Sequence, residues 1–282
     1  MCLFAATSVY RENKMITVLG ASGFIGSLLA NRLQKYKLEH QAVGRNDDIP
    51  AGNLGDVVYC IGVTSDFRRK PFETVDAHVC TLLDVVRNRE FDSLLYLSST
   101  RVYAGADSTD EDEPLRVEPR YSSDLYNISK LMGESITLNC GRTGRVARIS
   151  NVYGRDFSSD NFLPTILRQA ARGEKVVFQT ARSSEKDYVW IDEVVELLIW
   201  IAAGGKQKIY NVASGMNVSN RQLAEKLQEL TSCEIEFAPE SPEIKFPPIN
   251  IKRAREEFGF LMSSVLRDLS WLVELYKESL SQ

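Results

Sequence analysis

Three glycines in Gly20-Ala21-Ser22-Gly23-Phe24-Ile25-Gly26 follow a short apolar run, residues 15–19, and open a helix-like segment over residues 27–33. A strand, a glycine turn and a helix in that order restrict the fold, because each glycine has a steric task. Gly20 lets the strand turn sharply, Gly23 lets the backbone approach a pyrophosphate, and Gly26 lets the helix pack closely on a sheet. Ser22, Phe24 and Ile25 complete the loop, and the helix N-terminus adds free N–H groups and partial positive charge for phosphate oxygens. An ordinary tight turn would need neither flank, whereas both are present here.

Apolar runs at residues 41–44, 56–61, 93–98 and 146–149 alternate with helical spacing at 74–87 and 124–138. That alternation indicates an α/β fold with a parallel, doubly wound sheet of the Rossmann type, over residues 15–155. From Asn151 the alternation loosens, so a smaller C-terminal substrate lobe is expected over residues 156–282, with the chain crossing back to the first domain near 187–214. Val265, Leu269, Leu272 and Tyr276 give the last helix a docking face. The acidic stretch 107–113 reads as a solvated surface loop, and residues 1–14 as an extension ahead of Met15.

Composition narrows the partners. With 282 residues, 44% of them apolar, a large core is available. A net charge of -4 argues against nucleic acid or an anionic membrane surface as partner. Five scattered cysteines without a C-x-x-C pair, and only two histidines, offer no metal-ligand cluster. Reduced thiols, a soluble cytoplasmic protein and no metal are the expectations. The longest apolar run, residues 194–203, falls short of the roughly 20 residues that span a bilayer.

The flavour of the dinucleotide is read about twenty positions beyond the glycines, where a carboxylate suits the ribose 2′-hydroxyl of NAD and an arginine the 2′-phosphate of NADP. Arg45 stands there, with Asp47 and Asp48 expected in the loop beyond, so NADP is favoured over NAD. Cys60, Ile61 and Gly62, closing the third strand, complete the coenzyme contacts. Tyr126 and Lys130 are four apart, hence neighbours on one helix face. A phenol that titrates near ~10 needs roughly 4 kcal/mol of help to reach neutrality, which one nearby ammonium can nearly supply. Lys130 is expected to be that charge, and both residues to touch the coenzyme. Ser98-Ser99-Thr100 ends an apolar strand, where an open sheet presents its crevice.

Together these elements resemble the extended short-chain dehydrogenase/reductase family, in its NAD(P)-dependent epimerase/dehydratase branch that works on nucleotide sugars. The resemblance covers about residues 15–259. It rests on the glycine motif, on Ser98-Ser99-Thr100-Arg101-Val102-Tyr103, on Tyr126-Asn127-Ile128-Ser129-Lys130 with Glu134, and on residues 148–154. It implies Ser99, Tyr126 and Lys130 as catalytic residues, and Thr100, Asn151, Asn161 and Lys186 as substrate contacts. It also implies Asp192 in the stretch joining the lobes, and a homodimer through helices 74–87 and 124–138.

Departures refine the expectation. The dehydratases of the family carry an acidic pair directly after the catalytic hydroxyl; here Thr100 and Arg101 stand there, which argues against dehydration. Lys186-Asp187-Tyr188 replaces the usual arginine, so diphosphate binding is weaker or falls to Arg182. The resemblance then implies an NADPH-dependent reductase of a keto group on a nucleotide sugar, a 4-keto-6-deoxy sugar above all, with Tyr126 giving the proton. The alternatives are an NAD-dependent nucleotide-sugar 4-epimerase and a non-catalytic NADPH-binding regulator.

Overall fold

Strands whose two faces are both apolar must be covered on both sides, and the chain meets that demand by alternating them with helices. The computed structural model describes residues 14–280 other than 65 and 261. The expected N-terminal extension lies outside the described residues except for Lys14, whose ammonium lies 3.3 Å from Asp56. β1 (Ile16–Leu19) leads through the glycine turn into α1 (Phe24–Lys35), followed by β2 (His40–Val43) and β3 (Asp56–Tyr59). The single helix expected over 74–87 starts earlier and is interrupted. It consists of α2 (Pro71–Val75), a π-helical turn (Asp76–Cys80) and α3 (Thr81–Asn88). Next come β4 (Ser93–Ser99), a 3₁₀ turn (Thr100–Tyr103), α4 (Asp124–Leu138) and β5 (Thr143–Ile149).

Beyond β5 the elements shorten. They are β6 (Asn151–Tyr153), α5 (Phe162–Ala171), β7 (Val176–Phe178), β8 (Glu185–Trp190), α6 (Ile191–Gly204) and β9 (Ile209–Val212). β10 (Asn217–Ser219), α7 (Asn220–Thr231), β11 (Ile235–Phe237), α8 (Lys252–Phe258) and α9 (Val265–Leu280) complete the chain.

The main sheet has the order β2-β1-β3-β4-β5-β9, every neighbouring pair parallel. Strand order reverses at β1, so a crevice opens at the carboxyl ends of β1 and β3, where such sheets bind ligands. A second sheet, β10-β8-β6, and a β11-β7 pair lie beyond it.

α6 is buried nearly all round, from Ile191 to Ala202, because it fills the layer between the sheet and α1. The one carboxylate inside its apolar run is accounted for: Glu196 meets Arg32 and Tyr36 of α1, and Asp192 meets Arg32 at 2.5 Å. A separate core gathers Tyr153, Leu167, Phe178 and Leu227 with Val265, Leu269, Leu272 and Tyr276 of α9. Among the described residues no helix is long and apolar enough to cross a membrane.

The acidic loop corrects the sequence reading. Thr109 and Glu111 are each only 4% exposed, and Glu111 accepts the Asn211 N–H at 3.1 Å and pairs with Arg253 at 3.5 Å. The loop is pinned across the end of the sheet because Glu111 accepts an N–H of β9, while the Thr109 hydroxyl donates to the Pro248 carbonyl and accepts the Asn250 N–H ahead of α8.

Behind β4 sits a buried ion pair. Arg148 of β5 donates to both oxygens of Glu134 of α4, at 3.1 and 2.8 Å, with side-chain exposures of 4% and 5%. Ser98 donates to the same carboxylate at 2.5 Å, while Arg148 also donates to the Tyr103 hydroxyl and the Glu111 carbonyl. Burial alone would lower the Arg148 pKa, but Glu134 reverses this and raises it above the ordinary arginine value. Removing one partner of such a pair strands a buried charge, at a cost of about 3–5 kcal/mol. Glu134→Ala is therefore expected to lower unfolding stability by about that amount in urea titration; a loss below ~1 kcal/mol, the range of surface pairs, would contradict it.

Candidate active site

The site grows from three strand ends. At the first, Gly20 has φ +90°, and a Cβ there would lie 2.9 Å from the Ile61 nitrogen, so only glycine turns the chain this tightly against β3. A Cβ at Gly26 would drive into the Gly20 carbonyl oxygen, which is why α1 can approach so closely. α1 begins after Gly23 without a side-chain cap. The N–H groups of Phe24, Ile25 and Gly26 thus keep no partner from the helix, and these residues line a cavity of about 690 Å³. The shape and the free donors fit the pyrophosphate of a dinucleotide.

At the second strand end, β2 stops at Val43, two residues short of Arg45. Arg45 is exposed, and its N–H donates to the Ser22 hydroxyl at 3.1 Å. Asp47, expected in the loop beyond, turns back so that its carboxylate accepts the Gly44 N–H at 2.7 Å. Both an arginine and a carboxylate therefore stand at this edge. Gly20, Ser22 and Arg45 do not line the cavity itself, whereas Gly23, Cys60, Ile61 and Gly62 do. Burial pushes the Cys60 thiol up to about 12, with the Lys130 charge opposing, so it stays an uncharged floor.

The third strand end holds Ser99. Its hydroxyl accepts the Arg101 N–H at 3.2 Å, fixing the 3₁₀ turn, and hydrogen-bonds the Tyr126 phenol. Tyr126 is 6% exposed, between the ring of Phe67 at 5.0 Å and the edge of His78 at 5.2 Å. Burial raises its pKa above the ordinary value, while Ser99 and then Arg101 oppose the rise. The Lys130 ammonium donates to the Leu97 carbonyl at 2.9 Å and lies 6.0 Å from the Tyr126 ring centroid, the same distance as the Arg101 guanidinium, which comes from another element.

Of the expected substrate contacts, Thr100, Asn151, Asn161 and Lys186 all line the cavity. The Asn151 amide also donates to the Asp187 carbonyl at 2.8 Å. Lys186 lies 4.6 Å over the Phe162 ring, and burial, then Arg101, lowers its pKa. Arg182 does not join it: its guanidinium stacks 4.4 Å over Phe237, outside the cavity lining. Asp187 anchors the turn after β9 by accepting from Ser214 and Met216.

His78 escaped the sequence reading. Fully buried in the π-helical turn, it accepts the Val63 N–H on Nε2 at 3.3 Å, which leaves the proton on Nδ1. Nδ1 donates to Ser129 at 2.8 Å, and Ser129 donates to the Tyr126 carbonyl at 2.9 Å. This chain ties the loop after β3 to the turn of α4 that carries Tyr126. Burial and then the Lys130 charge push the imidazole down to about 2, so it stays neutral. Phe67 and Arg68 were missed as well, because an aromatic and a cation in a loop carry no spacing signal.

Comparison with known proteins agrees with this geometry. The model of the NAD dependent epimerase/dehydratase family matches residues 53–213, and the chain belongs to that family. It is thus an NAD(P)-dependent enzyme of the extended short-chain dehydrogenase/reductase type. UDP-glucuronic acid decarboxylase 6 of Arabidopsis thaliana is 22% identical over 92% of this chain and 87% of that protein. Among solved structures, MoeE5 in complex with UDP-glucose and NAD has a TM-score of 0.76 at 20% identity, covering 95% of this chain and all of that one. RMD from Pseudomonas aeruginosa complexed with NADPH has a TM-score of 0.77 at 21% identity, covering 94% and 100%. These likenesses show the fold, and the neighbours hold NAD in one case and NADPH in the other.

Burial lowers the Lys130 pKa from 10.5 to about 7. Between those values the unfolded chain carries a proton that the folded chain has shed, so the contribution of Lys130 to stability rises with pH across that window. Denaturant titration of coenzyme-free protein from about pH 6 to about pH 9 is expected to show wild type gaining stability relative to Lys130→Met. A pH-independent difference would contradict the burial of this ammonium.

Proposed function

We propose that this chain is an NADPH-dependent reductase of a keto group on a nucleotide sugar, acting at C4 of the sugar. The observation that carries the reading is the Tyr126 phenol, buried on the cavity wall beside Ser99, with Arg101 rather than a carboxylate following Ser99–Thr100. A reduction needs this phenol protonated, to give its proton to the carbonyl oxygen, whereas an epimerase first needs the phenolate as base. A bound nicotinamide coenzyme supplies the hydride.

Ser99 and Tyr126 hydrogen-bond the substrate carbonyl oxygen, and Tyr126 transfers its proton there as the alkoxide develops. Lys130 is positioned for the nicotinamide ribose, and the free N–H groups of Phe24, Ile25 and Gly26 for the pyrophosphate. Thr100, Asn151, Asn161 and Lys186 line the substrate side. Arg101 leaves no carboxylate directly after Ser99–Thr100 to assist loss of water. The half-exposed or exposed apolar residues Phe72, Val79, Leu83 and Met132 on α2, the π-helical turn, α3 and α4 support a homodimer through that face. Residues 15–155 would then serve the coenzyme and residues 156–282 the substrate. The 4-keto-6-deoxy sugar nucleotides implied by the sequence resemblance are the first class to assay.

A second reading is favoured by one observation, the Asp47 carboxylate folded onto the end of β2. It suits the 2′-hydroxyl of NAD, and with it a nucleotide-sugar 4-epimerase in which Tyr126 acts first as base.

Nicotinamide fluorescence titration separates the two. The reductase predicts NADPH bound more tightly than NADH, with Arg45→Ala removing about tenfold or more of that preference. NADH preferred, and the preference lost in Asp47→Ala, would put the epimerase first. Tyr126→Phe is expected to keep coenzyme binding and lose about 10²–10⁴ in turnover. Unchanged function in that variant would instead support a non-catalytic regulator.

A further inference from the structure

The cavity wall beside Tyr126 carries positive charge that the protein itself does not neutralise. Phe67, 5% exposed, holds two guanidinium groups over its ring, Arg68 at 4.5 Å and Arg101 at 5.2 Å. The Arg101 group also lies 6.0 Å from the centroid of the Tyr126 ring, and both arginines line the cavity. Among the described residues, neither arginine makes an ion pair. The carboxylate that acts on Arg101 is Asp124, which makes no ion pair with it and is engaged by the Glu118 N–H and the Asn127 amide.

Arg101 is also desolvated. Its Nε is buried without any hydrogen-bond partner. Leaving a buried donor unpaired is costly, more so on a charged group, and drawing Arg68 alongside adds like-charge repulsion. The pKa of Arg101 is lowered by burial first and by Arg68 second, and Arg101 in turn lowers that of Lys186. Three cations thus converge on one cavity. A planar guanidinium with free N–H groups is matched by a carboxylate, which it can grip with two hydrogen bonds.

Arg101 and Lys186 reach this cavity from different elements. Lys186 belongs to β8, on the wall formed by Phe162, whereas the Arg101 backbone is bonded directly to Ser99, the hydroxyl that faces the reacting oxygen. An anion held by Arg101 therefore sits beside the reacting end of the sugar. We propose that the sugar of the substrate is acidic, a uronate whose carboxylate is gripped by Arg101 and Arg68 over Phe67. The inference rests on the nucleotide-sugar reading and refines it. A 6-deoxy sugar, the first class named above, would set a methyl group against the desolvated Arg101 guanidinium and its exposed neighbour Arg68, while a carboxylate satisfies both.

Calorimetric titration of the coenzyme-loaded protein tests it, using the glucose and the glucuronic acid forms of UDP and of dTDP side by side. Wild type is expected to bind the glucuronic acid form of one nucleotide about tenfold or more tighter than its glucose form. Arg101→Gln is expected to remove that difference by weakening the glucuronic acid form alone. Arg68→Gln, at an exposed position that the fold does not depend on, is expected to reduce it in the same direction. Equal affinities in wild type would overturn the proposal, as would an Arg101→Gln variant that weakens both forms alike, since the cation would then serve the diphosphate. If no sugar nucleotide binds, the proposal falls together with the nucleotide-sugar reading, a result distinct from equal binding of both forms.

Discussion

The buried pair of Glu134 and Arg148 is the contact on which the working face depends. It joins α4 to β5 directly behind β4, and its carboxylate also takes the Ser98 hydroxyl. Ser99 directly follows Ser98 and Lys130 lies one helical turn before Glu134, so the helix that carries Tyr126 is registered against the strand that carries Ser99. Arg148 extends the network to Tyr103, which donates to Asn211, and Asn211 donates to the Thr109 and Asn250 carbonyls. A charge in low dielectric tolerates little slack, because any loss of partner exposes the full desolvation cost. The pair therefore acts as a register pin for the chemistry in front of it.

In front of the pin, the cavity is assembled from groups that want anions. The uncapped start of α1, Arg101, Arg68 and Lys186 line it together with Asp156, Asp160 and Asp187, of which Asp187 spends its oxygens on Ser214 and Met216 and Asp160 lies 3.7 Å from Arg168. A chain of net charge -4 thus gathers several cations around its cavity. Against that field the neutral groups are kept neutral by burial: the phenol of Tyr126, the thiol of Cys60 and the imidazole of His78. The combination suits a proton donor waiting beside a negatively charged substrate.

Much of this was legible in the order of residues. The glycine turn, the buried run before Ser99 and the four-residue spacing of Tyr126 and Lys130 are local patterns, and local patterns survive folding. What escaped was long-range. Nothing near His78 in sequence points to Val63 or Ser129, fifteen and fifty-one residues away. Glu111 lies in a run of carboxylates that reads as solvated, yet it is claimed by Asn211 and Arg253 from distant elements. A second cation beside Tyr126 escaped for the same reason: helix spacing brings Lys130 near, but Arg101 arrives from another element. Asp47 likewise reaches the end of β2 through a turn whose return no periodicity announces.

The central claim is that Tyr126 acts as an acid in a net reduction. Reaction of a 4-keto nucleotide sugar with NADPH deuterated at the transferring position, followed by mass spectrometry of the sugar, tests it most directly. The account predicts deuterium on the reduced carbon, with one equivalent of NADPH consumed per product. Product formed with no deuterium gained and no coenzyme consumed would contradict it, because the hydride would then have come from the sugar itself.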